Sequence, residues 1–216
     1  MIKIAKLKCA LIAALFAVMI FIPKANAQEE RSNVIKVDLS GLPMGFYGFS
    51  YERVFGESTS AQLYFDIISG NFELGDVNAK WTGFTFMPEV RYYLSSKGAP
   101  RGFFFGAYVP YRTITIEGSM KGEIDNGMGT QIAAMGSVKS KFSFVGFGIN
   151  MGSQWLIADR VSLEFHWGAA FGSGSLKDTE VALTAPGTTN TEVEKFDFPV
   201  PLAVHPRFGL TLGVAF

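Results

Sequence analysis

From Arg207 to the last residue, Phe216, a large apolar side chain stands at every even position, with Arg207, Gly209, Thr211, Gly213 and Ala215 between them. A side-chain period of two is that of a β-strand, so one face of this segment is wholly apolar and the other small or polar. Seven earlier segments carry the same alternation. Near Asn33 to Leu42, Ile35, Val37 and Leu39 oppose Lys36, Asp38 and Ser40; after a tight Pro43-Met44-Gly45 connection, Tyr47, Phe49 and Tyr51 oppose Gly48, Ser50 and Glu52. From Ser60 to Ser69, Leu63, Phe65 and Ile67 oppose Gln62, Tyr64 and Asp66; next, Phe84, Phe86, Val90, Tyr92 and Leu94 oppose Thr85, Met87, Glu89, Arg91 and Tyr93. In the fifth, Phe103, Phe105, Ala107 and Val109 oppose Gly106, Tyr108 and Arg112. The sixth, about Val138 to Trp155, sets Phe142 and Phe144 out of phase with Val145, Phe147, Ile149 and Met151, and a bulge near Phe144 would restore the phase. In the seventh, Val161, Leu163, Phe165, Trp167 and Phe171 oppose Ser162, Glu164, His166, Gly168 and Gly172.

Eight half-apolar strands predict an all-β fold: a closed, antiparallel, up-and-down transmembrane β-barrel of eight strands. The connections agree. Gly56 to Thr59, Ser95 to Arg101 and Ile157 to Asp159 are compact, as turns at the periplasmic end should be. Glu117 to Ser137 and Ser173 to Pro199 are long, rich in Gly, Ser, Thr and Asn, and read as outer loops. A water-soluble barrel would have the same period but the opposite sense, with bulky groups inside and charge outside. Here the bulky faces are aromatic and the opposite faces hold Gly, Ser, Thr and ions, which favours the membrane. Trp81, Trp155, Tyr47 and Tyr92, near strand ends, suit interfacial girdles.

The first residues fit this location. Lys3, Lys6 and Lys8 precede an apolar run from Cys9 to Ile22, and Ala25-Asn26-Ala27 supplies a small-x-small cleavage pattern. Residues 1–27 are therefore expected to be a signal peptide and residues 28–216 the barrel. The single cysteine falls in the leader, so the mature chain would have no disulfide or thiol chemistry. With 19 basic and 19 acidic residues the formal net charge is +0, and no basic footprint for nucleic acid is present. Hydrophobic residues make up 48% of the chain and aromatics 14%, yet no apolar run after Ala27 is long enough for a spanning helix.

The mature chain resembles small outer-membrane β-barrels of the OmpA and OmpX type. The run Pro88-Glu89-Val90-Arg91-Tyr92-Tyr93-Leu94, followed by Ala99-Pro100-Arg101-Gly102-Phe103-Phe104, is similar to a group of these described only as domains of unknown function. The resemblance implies that Phe216 serves as the assembly signal read by the barrel-assembly machinery through the C-terminal strand. It brings no catalytic motif.

By the strand phases, Lys36, Asp38, Glu52, Asp66, Glu89, Arg91, Arg112, Glu164, His166 and Arg207 point into the lumen. An eight-stranded barrel has room inside only for side chains or one small ligand, so these charges should pair across the bore, with trapped water, as a plug. A narrow gated pore or a small-ligand pocket is the alternative. Ser162, Glu164 and His166 suggest a lipid-modifying enzyme, but residues two apart on a strand stand about 6 to 7 Å apart, too far for a nucleophile to bond its base. They also face away from lipid, so no enzymatic activity is expected. His205, beside Pro206, reads as a rim residue. The outer-loop carboxylates Glu117, Glu123, Asp125 and Asp178 lack a calcium-loop spacing, and no metal or cofactor is expected. The remaining reading is a structural or surface-interaction role for a monomer in contact with outer-membrane lipid. Its threonine-rich segment, Thr179 to Lys195, would be presented to an extracellular partner.

Overall fold

The computed structural model describes residues 32–125, 131–184 and 192–216; the leader expected at 1–27 lies outside them. Among the described residues nine strands, all antiparallel, run in chain order: β1 (Asn33–Asp38), β2 (Phe46–Val54), β3 (Thr59–Leu74), β4 (Val77–Tyr93), β5 (Gly102–Tyr108), β6 (Tyr111–Asp125), β7 (Gln131–Ile157), β8 (Val161–Thr184) and β9 (Glu192–Ala215). Each pairs with its sequence neighbour, except that β5 and β6 both lie between β4 and β7. They form one stave, interrupted at Pro110, which has no N–H to give the ladder. β9 pairs with β1, so the ring closes on eight staves, as the alternation predicts.

The register also fixes the slant. From Val34, the paired residues once round the ring are Glu52, Gln62, Glu89, Tyr108, Gly148, Ala170 and His205, whereas Val34 itself pairs with Ala215, ten residues beyond His205. A stagger of this kind is what closing a tilted sheet requires.

The sense of the alternation is that of a membrane barrel. Phe208 is 66% exposed on the outer wall, with Phe165, Trp167, Phe147 and Ile149 around it, while Arg207 and Glu164 are buried inside. Rings of Phe49, Phe65, Phe84 and Tyr111 touch in sequence across four staves, with centroids 5.3, 6.2 and 5.9 Å apart. This outer arrangement rules out the water-soluble barrel for the lower part of the ring.

Three details depart from the sequence reading. Phe144 needs no bulge beside it: it faces into the bore, buried, in a cluster with Tyr64, Met87, Tyr108 and Ala170. The irregularity in β7 lies instead between Lys139 and Lys141. Trp81 is not a girdle residue; it has the inward phase of Thr85 and Met87, and its indole Nε1 donates to the Met44 carbonyl at 3.1 Å. Nor are the described parts of the long connections loops. β6 and β7 stay in register from Tyr111↔Val145 to Asp125↔Gln131, and β8 and β9 pair from Val161↔Val214 to Leu183↔Glu192, with register shifts between Gly172 and Gly174 and between Leu176 and Thr179. At about 3.3 Å per residue, the 27 residues of β7 reach far beyond the 9 to 11 that cross a bilayer. The described parts of the threonine-rich segment are strand too, and residues 185–191 lie outside the described residues.

The Phe144 assignment is open to direct test. Phe144→Ala empties part of the bore and should destabilise the barrel by about 3–5 kcal/mol in denaturant titrations. Phe147→Ala, on the outer wall of the same strand, leaves no internal cavity and should cost clearly less. The reverse order would mean that the phase of β7 is wrong.

Candidate functional site

Among the described residues, the lumen gathers a buried cluster of ionisable groups. β1 contributes Lys36, β2 Glu52, β4 Glu89 and Arg91, β8 Glu164 and His166, and β9 Arg207, all buried. Lys36 Nζ contacts Glu52 Oε2 at 2.5 Å and Gln154 Oε1 at 2.8 Å, and also donates to Glu164 Oε2. Arg91 grips Glu164 with both terminal nitrogens, at 2.8 and 3.0 Å, and donates through Nε to Glu89 at 2.6 Å. Arg207 Nη1 donates to the other Glu89 oxygen at 2.6 Å. Glu52 is further held by Ser60 at 2.5 Å and the Tyr93 hydroxyl at 2.6 Å. Three cations therefore meet three carboxylates, and the balance lets charge be buried at all, since an unpaired buried ion costs several kcal/mol.

Aromatic rings complete the plug. The Arg91 guanidinium lies 4.2 Å from the centre of Phe104, and that of Arg207 lies 4.9 Å from Tyr108 and 5.7 Å from Tyr64, within cation–π range. Room for these groups comes from small inner residues. A Cβ on Gly106 would stand 2.1 Å from Asn150 Oδ1 and 2.5 Å from Glu89 Oε1; one on Gly148 would stand 2.4 Å from the Tyr108 ring.

All ten charged residues expected in the lumen face inward, but they do not form one network. Asp38 is tied to its own turn through the Ser40 N–H (2.9 Å) and hydroxyl (2.6 Å). Arg112 is partly exposed and donates to Thr85 at 2.9 Å. Asp66 stands apart near the upper bore, with Arg112 the opposite charge acting on it. His166 Nδ1 lies 2.9 Å from Glu164 Oε1 without hydrogen-bond alignment. His205 is not on the rim: it is buried and stacks on Phe144 with centroids 5.5 Å apart. Ser60, Tyr93, Asn150 and Gln154 were not named as candidates, although the inward phase of each is readable from its strand.

Above the apolar band the protruding strands reverse their sense. Lys80, Glu117, Lys139 and Glu180 are register partners in turn across β4, β6, β7 and β8, and lie on the outward face. Lys139 bonds Glu117 at 3.0 Å, holding its carboxyl below the usual range. The inward phase holds Phe72, Val77, Ile116, Met120 and Val138, all exposed. This is the pattern of a sheet in water, so the inversion marks the upper edge of the band. No group of three or more His, Cys, Asp or Glu able to hold a metal occurs among the described residues.

The family model described as "Protein of unknown function (DUF3575)" matches residues 13–201. The chain belongs to this family. No curated protein matches it in sequence. Among solved structures, CarO of Acinetobacter baumannii is similar, with a TM-score of 0.47, 9% identity, and coverage of 89% of this chain and 99% of that one. The translocator domain of the autotransporter NalP from Neisseria meningitidis gives a TM-score of 0.29 at 10% identity, over 99% of this chain and 98% of that one. The registers described above establish the ring in the DUF3575 chain by themselves.

The charge balance makes a specific prediction. Arg91→Met or Glu164→Gln alone leaves an uncompensated buried ion and should cost about 3–5 kcal/mol. Together they leave Lys36–Glu52 and Arg207–Glu89 as intact pairs, so the double variant should be more stable than either single one in denaturant titrations. Additive losses would show that the groups do not act as one network.

Proposed function

We propose that the protein is an integral outer-membrane barrel whose lumen is sealed, and that it acts through the β-hairpins that project from one end. The observation that carries this reading is the burial of the bore: the side chains of Lys36, Glu52, Glu89, Arg91 and Glu164 are 0% exposed. A conducting path would have to part a network of charge-assisted hydrogen bonds reaching from β1 to β9. The apolar band supports a lipid environment. The eight staves and the C-terminal aromatic strand support kinship with OmpA and OmpX-type barrels.

Phe216 fits the part of assembly signal. It extends β9 at the closing seam, its N–H donating to the Asn33 carbonyl at 2.9 Å and its carbonyl accepting from the Asn33 N–H at 3.1 Å, while its ring is exposed. The paired hairpins β6–β7 and β8–β9 are the surfaces available to an extracellular partner, and the barrel works without enzymatic activity. Ser162, Glu164 and His166 support that last point: all three are buried in the bore, and Glu164 is already engaged by Lys36 and Arg91.

In planar bilayers the purified protein should show no unitary conductance; discrete openings would replace this reading with a pore. Orientation is checked on intact cells. With Cys9 in the leader, Ser119→Cys on the β6–β7 hairpin should react with a membrane-impermeant maleimide, and Lys97→Cys in a short turn should not. Labelling of Lys97→Cys alone would invert the topology.

A further inference from the structure

The outer wall changes character in the same order on adjacent strands. Going up β4, the outward residues are Phe84, Thr82 and Lys80; up β7, Val145, Ser143, Lys141 and Lys139; up β8, Phe171, Ser173, Ser175 and Lys177. β6 contributes Tyr111, Thr113 and Thr115 between them. A band of hydrocarbon-facing side chains is thus followed by a tier of hydroxyls and then by charged residues, in which Glu117 and Glu180 alternate with Lys80 and Lys139 while Lys141 and Lys177 stand together. Along a strand tilted by about 40°, each residue climbs about 2.5 Å of the membrane normal. Lys80 and Lys141, each four residues past the last apolar one, stand about 10 Å above the band, and the polar layer of a leaflet is about 5 to 7 Å deep. A lysine stem that bends downward brings its ammonium into that layer.

Lys139 is answered by Glu117, but Lys141 and Lys177 are not neutralised within the described protein. Lys141 and Lys177 are direct register partners, and like charges in that position repel. Neither makes an ion pair among the described residues, and both are exposed. Beside them lies a depression of about 510 Å³, lined by Asn71, Asn78, Lys80, Glu117, Ser119 and Lys139 among others. Most of its lining residues have the outward phase and lie at or above the level of Lys80, where the carboxylates of Glu117 and Glu180 stand among the amides and hydroxyls. An anion between Lys141 and Lys177 would turn their repulsion into two attractions.

We propose that this wall is a binding site for a phosphorylated glycolipid, with Lys80, Lys141 and Lys177 taking its phosphates and the Thr82, Thr115, Ser143 and Ser175 tier, with the adjoining depression, taking its sugar. The order of the tiers selects this occupant: acyl chains against the apolar band, sugar hydroxyls against hydroxyls, phosphate against ammonium. The proposal rests on the membrane reading given above, and its test separates the two.

Full-length protein in detergent is titrated with lipid A carrying both phosphates, and bound lipid is counted by native mass spectrometry. Heat-modifiable gel mobility of the same samples reports whether the barrel is folded, and its absence would sink the membrane reading instead. Lys141→Gln with Lys177→Gln should weaken binding about tenfold, the scale of a charge-assisted contact, and Lys97→Gln at the opposite end should not. Dephosphorylated lipid should bind like the double variant sees the intact one. Equal binding by the wild type and the double variant would overturn the proposal. So would complete displacement of the lipid by inorganic phosphate, which would make this a free-anion site.

Discussion

Everything inside the ring answers to one constraint: eight tilted staves leave a bore that only side chains can fill, and charge placed there must be neutralised on the spot. Arg91 and Glu164 are the centre of the solution. Their two-pronged contact joins β4 to β8 across the bore, Lys36 ties β1 to β2 and β8, and Glu89 joins Arg91 to Arg207 on β9. The network therefore spans the seam where it is weakest. β1 has six residues, and its pairing with β9 runs only from Val34↔Ala215 to Asp38↔Thr211, whereas β8 and β9 stay paired over most of their length. Side-chain contacts through the bore make up for the short ladder.

The bore is graded along its axis. Ions and amides fill the end near the termini, while Tyr64, Met87, Tyr108, Phe144 and Ala170 form an apolar cluster above them. Arg207 is the joint between the two. It gives Nη1 to Glu89 below and lies against the Tyr108 and Tyr64 rings above, so its charge is compensated while its planar face is packed. A lysine could supply the charge but not that flat contact. The gradation fills the bore with ion pairs at one level and rings at the next.

How much of this was legible in the sequence depended on whether the property is local. The period of two is local, and it placed all ten charged residues on the inner wall and Phe208, Leu210 and Leu212 on the outer. Which carboxylate meets which cation depends on the stagger between staves, and no single strand reveals it; nothing in β4 alone says that Arg91 reaches Glu164. Phe144 departs from expectation for a related reason. The chemistry of a large aromatic suggests a lipid-facing position and hence a bulge, but its parity matches the inner residues Gly148, Asn150 and Gln154, and no bulge is needed. The hairpins depart from what composition suggests. Ser, Thr and Gly suggest loops, but a segment that pairs with its neighbour satisfies its backbone whatever its side chains, and Glu117 opposite Lys139 is a cross-strand pair that only the register reveals.

The inversion of the alternation along single strands is the strongest argument for where the membrane lies. On β4 the outward residue is Phe at 84 and 86 but Lys at 80, while the inward residue passes from Glu89 through Thr85 to Ala79 and Val77. β7 makes the same exchange, from outward Val145 and inward Gly148 to outward Lys139 and inward Val138. From β4 across β6 to β7 the ladders run on in register through the exchange, while β7 and β8 shift register between Lys139 and Lys141. Where the ladder is unbroken, the exchange follows the solvent against the outer face. A sheet in water turns charge outward, a sheet in hydrocarbon turns it inward, and a strand that does both in succession has crossed from one solvent to the other. The Ser and Thr tier, found at the crossing on β4, β6, β7 and β8, is chemically suited to the boundary, since hydroxyls tolerate both sides of it better than either ions or rings. The same reasoning explains why the low side of the ring, at β1 and β2, shows no inversion: β1 ends at Asp38, β2 begins at Phe46, and the chain turns through Leu42–Met44 before it reaches the height at which the others change sense.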